Sequence, residues 1–320
     1  MKRCRLIVNP ISGTRSKQGL GEALAARLGP DWTVETCPTE YAGHATTLAA
    51  EAAAAGYDAV IAAGGDGTVN ETARALCGTA TALGIIPCGS GNGLARHLNI
   101  PVDNVASLDI IAGGRTLDVD TGSVNGRPFF CTFGVGFDAA VSERFARKNR
   151  RGLFSYFQSA LETFRNYRPQ TYTITANGSE VTHKALLVAV CNASQYGNNA
   201  YIAPGASMLD GLFDVLILHS DNPLSAVRLG LDMMAGTLGS NAGVDMIRTS
   251  SLTITRLSDD ISHIDGEPVE GLGERLALEC RPATLRVFVP DNIPVFTPLI
   301  TPLQAFGRDI LLTFSHLFRQ

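Results

Sequence analysis

The sequence predicts an α/β N-terminal domain on a parallel sheet, followed by a mostly antiparallel, β-sandwich-like second domain. Two observations carry this. Residues 1 to about 120 alternate short apolar runs with alanine-rich helical stretches, and from about residue 116 onward short strand-like runs follow one another with turn residues between them. With 320 residues, 45% hydrophobic and 18% charged, the chain is long enough to bury two cores.

In the first part the strand-like runs are Leu6-Ile7-Val8, Ala59-Val60-Ile61 and Leu83-Gly84-Ile85-Ile86, and Gly43 to Ala55 reads as a helix. Asn70 to Leu76 reads as the start of another helix, ended by Gly78. The second part contains Thr171 to Ala176, an alternating strand closed by the turn Asn177-Gly178, which predicts a hairpin. Leu186 to Val190, Phe213 to Leu218, Leu252 to Thr255, Arg275 to Cys280 and Thr284 to Val289 predict further short strands. Two helical inserts are expected near Leu153 to Phe164 and Leu224 to Leu238. The domains are placed at 1–120 and 121–290, and Pro302 to Phe318 in segment 291–320 is expected to pack back on the first as an amphipathic helix.

A net charge of -4 gives no general attraction for nucleic acid or anionic membranes, so no nucleic-acid partner is expected. The seven cysteines are scattered with no C-x-x-C pair, which fits reduced thiols and a cytoplasmic location. The basic start has too short an apolar run for a signal peptide, and no segment approaches the roughly 20 apolar residues of a bilayer span.

Three glycine or asparagine turns follow three N-terminal strands: Asn9-Pro10-Ile11-Ser12-Gly13, Gly64-Gly65-Asp66-Gly67-Thr68 and Pro87-Cys88-Gly89-Ser90-Gly91-Asn92-Gly93. In a parallel sheet such loops lie side by side, and their N–H groups together with a helix N-terminus can cradle phosphate. No G-x-x-x-x-G-K-[ST] and no dinucleotide-type G-x-G-x-x-G is present. Ser90 and Asn92 add side-chain donors. Asp66 is out of place beside phosphate, where a carboxylate at about 4 Å is repelled by roughly 4 kcal/mol at an effective dielectric of 20. Three roles are open to it: an Mg²⁺ ion in between, proton abstraction from an attacking hydroxyl, or a helix cap.

These residues resemble the diacylglycerol kinase catalytic-domain family, which includes bacterial lipid kinases, sphingosine kinases and ceramide kinases. The resemblance rests on Gly64-Gly65-Asp66-Gly67-Thr68-Val69-Asn70-Glu71, on Asn9-Pro10-x-Ser12-Gly13, on Pro87-x-Gly89-Ser90-Gly91-Asn92-x-Leu94-Ala95-Arg96 and on Asp265-Gly266-Glu267. It implies a fold like that of NAD kinases and phosphofructokinases, with ATP in the interdomain cleft, residues 1–120 binding nucleotide and 121–290 binding lipid. It implies nucleotide contacts at Asn9, Ser12, Gly13, Thr39, Gly64, Gly65, Gly67, Thr68, Asn70, Glu71, Gly89, Ser90 and Asn92, with Asp66 and Glu267 as the catalytic carboxylates. One would act on Mg²⁺ and the other on the acceptor hydroxyl. A structural Mg²⁺ is implied at Asp210 with the carbonyls of Ser207 and Leu212. The activity implied is phosphoryl transfer from Mg²⁺-ATP to a lipid hydroxyl, of diacylglycerol or a related glycerolipid. Gly93 stands where many bacterial members have aspartate, as in the sphingosine and ceramide kinase loop, so those acceptors are the alternative. NAD kinase is disfavoured by the third loop and the Asp-Gly-Glu segment, and a non-catalytic nucleotide-binding regulator by the retention of both carboxylates.

Arg144, Arg147, Lys148, Arg150 and Arg151 precede the aromatic stretch Phe154 to Phe157, a pattern that suits peripheral contact with an anionic bilayer. A homodimer is kept open. The six histidines show no metal-ligand spacing; His97 is read as a core or surface residue and His263 as a neighbour of Glu267.

Overall fold

The computed structural model describes residues 1–13, 17–146, 167–219, 231–240 and 243–291. The expected helices at Leu153 to Phe164 and Pro302 to Phe318, and the basic residues beyond Arg144, lie outside the described residues. Of the second insert, 231–235 is helical.

The first part alternates strand and helix as expected. In order come β1 (Lys2–Val8), α1 (Leu20–Leu28), β2 (Trp32–Pro38), α2 (His44–Ala54), β3 (Ala59–Gly64), α3 (Asp66–Leu76), β4 (Ala82–Pro87), the short α4 (Gly93–His97) and α5 (Asn104–Gly113). β3 and β4 are buried along their whole length, which is why they read as continuous apolar runs. The strands lie side by side as β2-β1-β3-β4, all parallel. α2 and α3 cover one face with Ala45, Ala49, Val69 and Leu76, and α1 and α5 the other with Leu20, Leu24, Leu108 and Ile111. The ends of β1, β3 and β4 therefore meet along one rim.

The second part contains β5 (Thr116–Val124), β6 (Arg127–Phe129), β7 (Thr132–Gly136), α6 (Phe137–Ala146), β8 (Gln170–Ala176), β9 (Ser179–Ala185), β10 (Leu187–Cys191) and β11 (Phe213–Leu218). It continues with β12 (Val244–Thr249), β13 (Ser251–Arg256), β14 (Ser262–Ile264), β15 (Glu267–Val269) and β16 (Arg275–Phe288). A six-stranded sheet in the order β12-β11-β10-β7-β14-β15 is antiparallel throughout. It packs face to face on β13, β8 and β16, enclosing Phe129, Phe133, Phe213, Tyr172, Ile174 and Ile254. The fold is thus α/β followed by an antiparallel sandwich, as the sequence predicts.

One expectation is corrected. Arg275 to Cys280 and Thr284 to Val289 are not separate strands but one, β16, bent where its register against β5 shifts between Arg281 and Leu285. At the bend Ala283 has φ +53°, and its N–H is held by Asp120, which also accepts from Gly211. Beyond the bend β16 pairs in parallel with β4 at Val287 and Leu83, so one ten-stranded sheet runs through both parts of the chain. The 120/121 division falls inside β5.

Three hairpins share one turn chemistry. Asn125-Gly126, Asn177-Gly178 and Asp265-Gly266 all have both central residues at positive φ, the two-residue turn whose twist matches that of paired strands. The last of these carries Glu267.

Candidate active site

The three glycine loops touch. Asn9 donates from its side-chain amide to the Thr68 hydroxyl at 2.9 Å and accepts the N–H of Ile11 at 3.1 Å. A methyl group on Gly13, whose φ is +64°, would stand 1.8 Å from the Cys88 carbonyl oxygen, and one on Gly89 2.7 Å from Cα of Gly65. These glycines are required by backbone lying against backbone. Gly64 is packed similarly against the Thr68 side chain.

Asp66 is the first residue of α3, after the N-cap Gly65. One carboxylate oxygen accepts the N–H of Asn92 at 2.8 Å and the other that of Gly93 at 2.7 Å. The negative charge in the glycine turn thus fastens the second loop to the third. The first i→i−4 bond of the helix runs from Val69 N to Gly65 O, so the N–H groups of Asp66, Gly67 and Thr68 precede it and aim out of the helix end.

The opposite wall is the β14–β15 hairpin. Oε1 of Glu267 lies 3.1 Å from where a methyl group on Gly67 would stand, so the tertiary fold brings Glu267 to the residue next to Asp66. The turn before it is tied down twice. The Asp265 carboxylate accepts N–H groups of Phe130, Cys131 (2.6 Å) and Thr132 (3.0 Å). Burial pushes its pKa up to about 6 despite those bonds. Nδ1 of His263 accepts the Gly266 N–H at 3.3 Å, leaving Nε2 to donate to Asp138 at 3.0 Å, and the Tyr196 hydroxyl donates to the same Asp138 oxygen at 3.0 Å. His263 and Asp138 are fully buried. Between the walls a cavity of about 60 Å³ is lined by Asp66, Asn70, Thr132, Tyr196, His263 and Asp265. A larger one, about 590 Å³, is bounded by the same loops through Arg96, Gln195 and Asn199, but neither carboxylate reaches it. Asp66 lines the smaller cavity, and Glu267 approaches Gly67, the residue after Asp66.

Other expected residues take different positions. Ser12 points its hydroxyl at the Asn9 carbonyl, Thr39 is buried at the end of β2, and Ser90 is exposed. Asn92 closes its own loop, donating to the Gly89 carbonyl at 2.8 Å and accepting the Gly89 N–H at 3.0 Å. The Glu71 carboxylate accepts the N–H groups of Gly43 and Ala45 at the start of α2. Asp210 and Leu212 share a turn, Asp210 accepting the Leu212 N–H at 3.1 Å, while the Ser207 hydroxyl accepts the Leu209 N–H. Arg248 bridges Asp210 and Asp214 there, and Oδ2 of Asp214 is buried without a partner. His97 is a core residue, its Nδ1 held by Ser194 and its pKa pushed down to about 4 by burial. Sequence reasoning missed Lys17, whose ammonium donates to the Ser12 carbonyl, and the Asp138–His263–Tyr196 network, whose members are far apart in the chain.

The model of the diacylglycerol kinase catalytic domain matches residues 3–124, and that of the YegS C-terminal NAD kinase beta sandwich-like domain matches 131–289. This chain belongs to the diacylglycerol kinase catalytic-domain family. It is 32% identical over 242 residues to a diacylglycerol kinase of Bacillus subtilis, covering 74% of this chain and 80% of the relative. It is 34% identical over 234 residues to one of Mycobacterium tuberculosis, covering 70% and 75%. The crystal structure of a diacylglycerol kinase from Bacillus anthracis superposes with a TM-score of 0.73 at 20% identity, covering 92% and 98%, a likeness of fold. Membership makes the chain a phosphotransferase of the lipid kinase kind and implies ATP as donor. Among the described residues no helix is long and apolar enough to cross a membrane.

Proposed function

We propose that the chain transfers the γ-phosphoryl group of Mg²⁺-ATP to a hydroxyl of diacylglycerol or a related glycerolipid. The observation that carries this is the approach of Glu267 to Gly67, next to Asp66, which lines a small polar cavity. Glu267 is exposed on its wall and placed to accept the proton of an acceptor hydroxyl. Asp66, with its oxygens fixed by two N–H groups, keeps lone pairs turned to the cavity for Mg²⁺. When bound, the metal neutralises charge on the transferring group and ATP supplies that group. The glycine loops fit a phosphate chain, because their close backbone packing brings them together at the N–H end of α3, whose first N–H groups precede the helix's own hydrogen bonds.

Asn9, Ser12, Gly13, Thr39, Gly64, Gly65, Gly67, Thr68, Asn70, Gly89 and Ser90 make up the nucleotide side. Asn92 shapes its third loop, and Glu71 ties α3 to the start of α2. At the 207–212 turn, the unpartnered Asp214 oxygen beside Asp210 leaves an acceptor for a structural Mg²⁺ held by Asp210 and the Ser207 and Leu212 carbonyls. We assign residues 1–120 to nucleotide, 121–290 to lipid, and peripheral membrane contact in the cytoplasm to the basic residues from Arg144 to Arg151.

Gly93, standing where many bacterial members of the family have aspartate, favours a second acceptor class, a sphingoid base or ceramide. The test is transfer of labelled phosphate from ATP and Mg²⁺ to separate vesicles of diacylglycerol, phosphatidylglycerol, ceramide or a sphingoid base. Labelling of diacylglycerol alone supports the first reading and of a sphingolipid the second. Retained transfer in Asp66→Asn would remove Asp66 from the chemistry. Exchanging Arg147, Lys148, Arg150 and Arg151 for Glu should weaken vesicle binding and spare ATP affinity; unchanged vesicle binding refutes the membrane surface.

A further inference from the structure

Three residues far apart in the chain meet at the edge of the sandwich away from the cleft. His183 lies on β9, the last strand of the ten-stranded sheet, and Asp245 on β12, the last strand of the six-stranded sheet. His219 directly follows β11. His183 pairs across to Tyr172 and Asp245 to Ile217, both core residues, so both side chains stand on the inward faces of their sheets. His219, two residues after Ile217, shares that orientation. One ligand atom from each of the three lies within 4.8 Å of the others. Nε2 of His219 is 2.8 Å from Oδ2 of Asp245, and Nδ1 of His183 is 3.8 Å from the same oxygen.

Hydrogen-bond bookkeeping points to a cation. Nδ1 of His219 is 3.2 Å from the Lys184 carbonyl oxygen, which only accepts, so Nδ1 carries the hydrogen. In the neutral ring the Nε2 lone pair then faces the lone pairs of Asp245 Oδ2 at 2.8 Å. A positive species between them resolves the conflict. An imidazole that donates one N–H to a backbone carbonyl and directs the other nitrogen at a shared point beside a second imidazole and a carboxylate has the arrangement of a metal ligand.

We propose that His183, His219 and Asp245 bind a divalent transition ion of the zinc class, which joins the terminal strands of the two sheets. Two imidazoles and one carboxylate suit such an ion and not Mg²⁺, which demands oxygen ligands. Tetrahedral bonds of about 2.0–2.2 Å set ligand atoms roughly 3.4 Å apart, so the observed 2.8 and 3.8 Å need only small side-chain rotations. The histidine side chains are 20% and 32% exposed and that of Asp245 57%, which leaves an entry path and a coordination position for water. Three strands, β11, β10 and β7, together with β14, separate this edge from Glu267 on β15, so the ion holds the fold and takes no part in transfer.

The test uses the full, untagged chain, stripped with a chelator and titrated with Zn²⁺ and, for its spectrum, Co²⁺. Expected are one equivalent bound, visible Co²⁺ bands without a thiolate charge-transfer band, and a higher melting temperature with Zn²⁺ but not with Mg²⁺. His183→Gln and His219→Gln should each weaken binding by at least about 10-fold. The proposal is overturned if the double variant binds Zn²⁺ as the wild type does, or if a thiolate band assigns the ion to the cysteines. Absence of Zn²⁺ binding at about 100 µM also overturns it, since a site of this donor set binds well below that, and would mean a proton alone holds His219 to Asp245.

Discussion

On the parallel-sheet side of the cleft, backbone does what side chains do on the antiparallel side. Gly13, Gly65 and Gly89 bring three loops into contact and leave N–H groups facing the rim, whereas the hairpin wall works through Asp138, Tyr196, His263, Asp265 and Glu267. At Gly13 and Gly89 the first wall has no room for an added atom. The second should tolerate isosteric changes that remove only a charge or a proton. Phosphate needs many donors at short range, which backbone supplies, and proton transfer needs one titratable group, which only a side chain supplies.

The sharpest way to break this comparison is Glu267→Gln. We expect a fall in kcat of about 10²–10⁴-fold with ATP affinity and melting temperature unchanged. A wild-type kcat would move the base elsewhere. Gly89→Ala tests the other wall, because its methyl group meets the Gly65 backbone at 2.7 Å. A loss of about 1–3 kcal/mol in stability, with ATP affinity reduced about 10-fold or more, is expected from denaturation and nucleotide titration.

Asp265 gives a finer test. Its folded pKa, raised to about 6 from the ordinary 3.8, means that the folded protein binds the proton more tightly than the unfolded chain. Its contribution is therefore present below about pH 4, is lost as pH rises to about 6, and is flat above. Asp265→Asn should flatten this slope by at most about 2 kcal/mol, read as the difference between variant and wild type in melts from pH 4 to 7. The smallest effect is expected for Glu71→Gln: about 1 kcal/mol of stability from weakened N–H bonds at α2, with ATP affinity nearly unchanged. A large loss of ATP affinity would return Glu71 to the nucleotide side.

Much of this was legible along the chain. β3 and β4 are buried throughout and announce themselves as apolar runs, and Asn177-Gly178 and Asp265-Gly266 turn where those pairs must. The glycine loops were recognisable because each lies within a few residues. Along the sequence β16 reads as two strands, because Pro282, Ala283 and Thr284 look like a break; Asp120, distant in sequence, makes them a bend. Spacing leaves the role of Asp66 open, because its two N–H partners belong to another loop.

Local spacing thus determined the fold class and marked out the three glycine loops, because turn chemistry and periodicity act over a few residues. Tertiary structure alone decided that Glu267 faces Gly67, that Glu71 serves α2, and that His183, His219 and Asp245 meet. Each of these depends on strand order and on which face of a sheet a side chain takes, and pairing between distant strands leaves no periodic trace in either one.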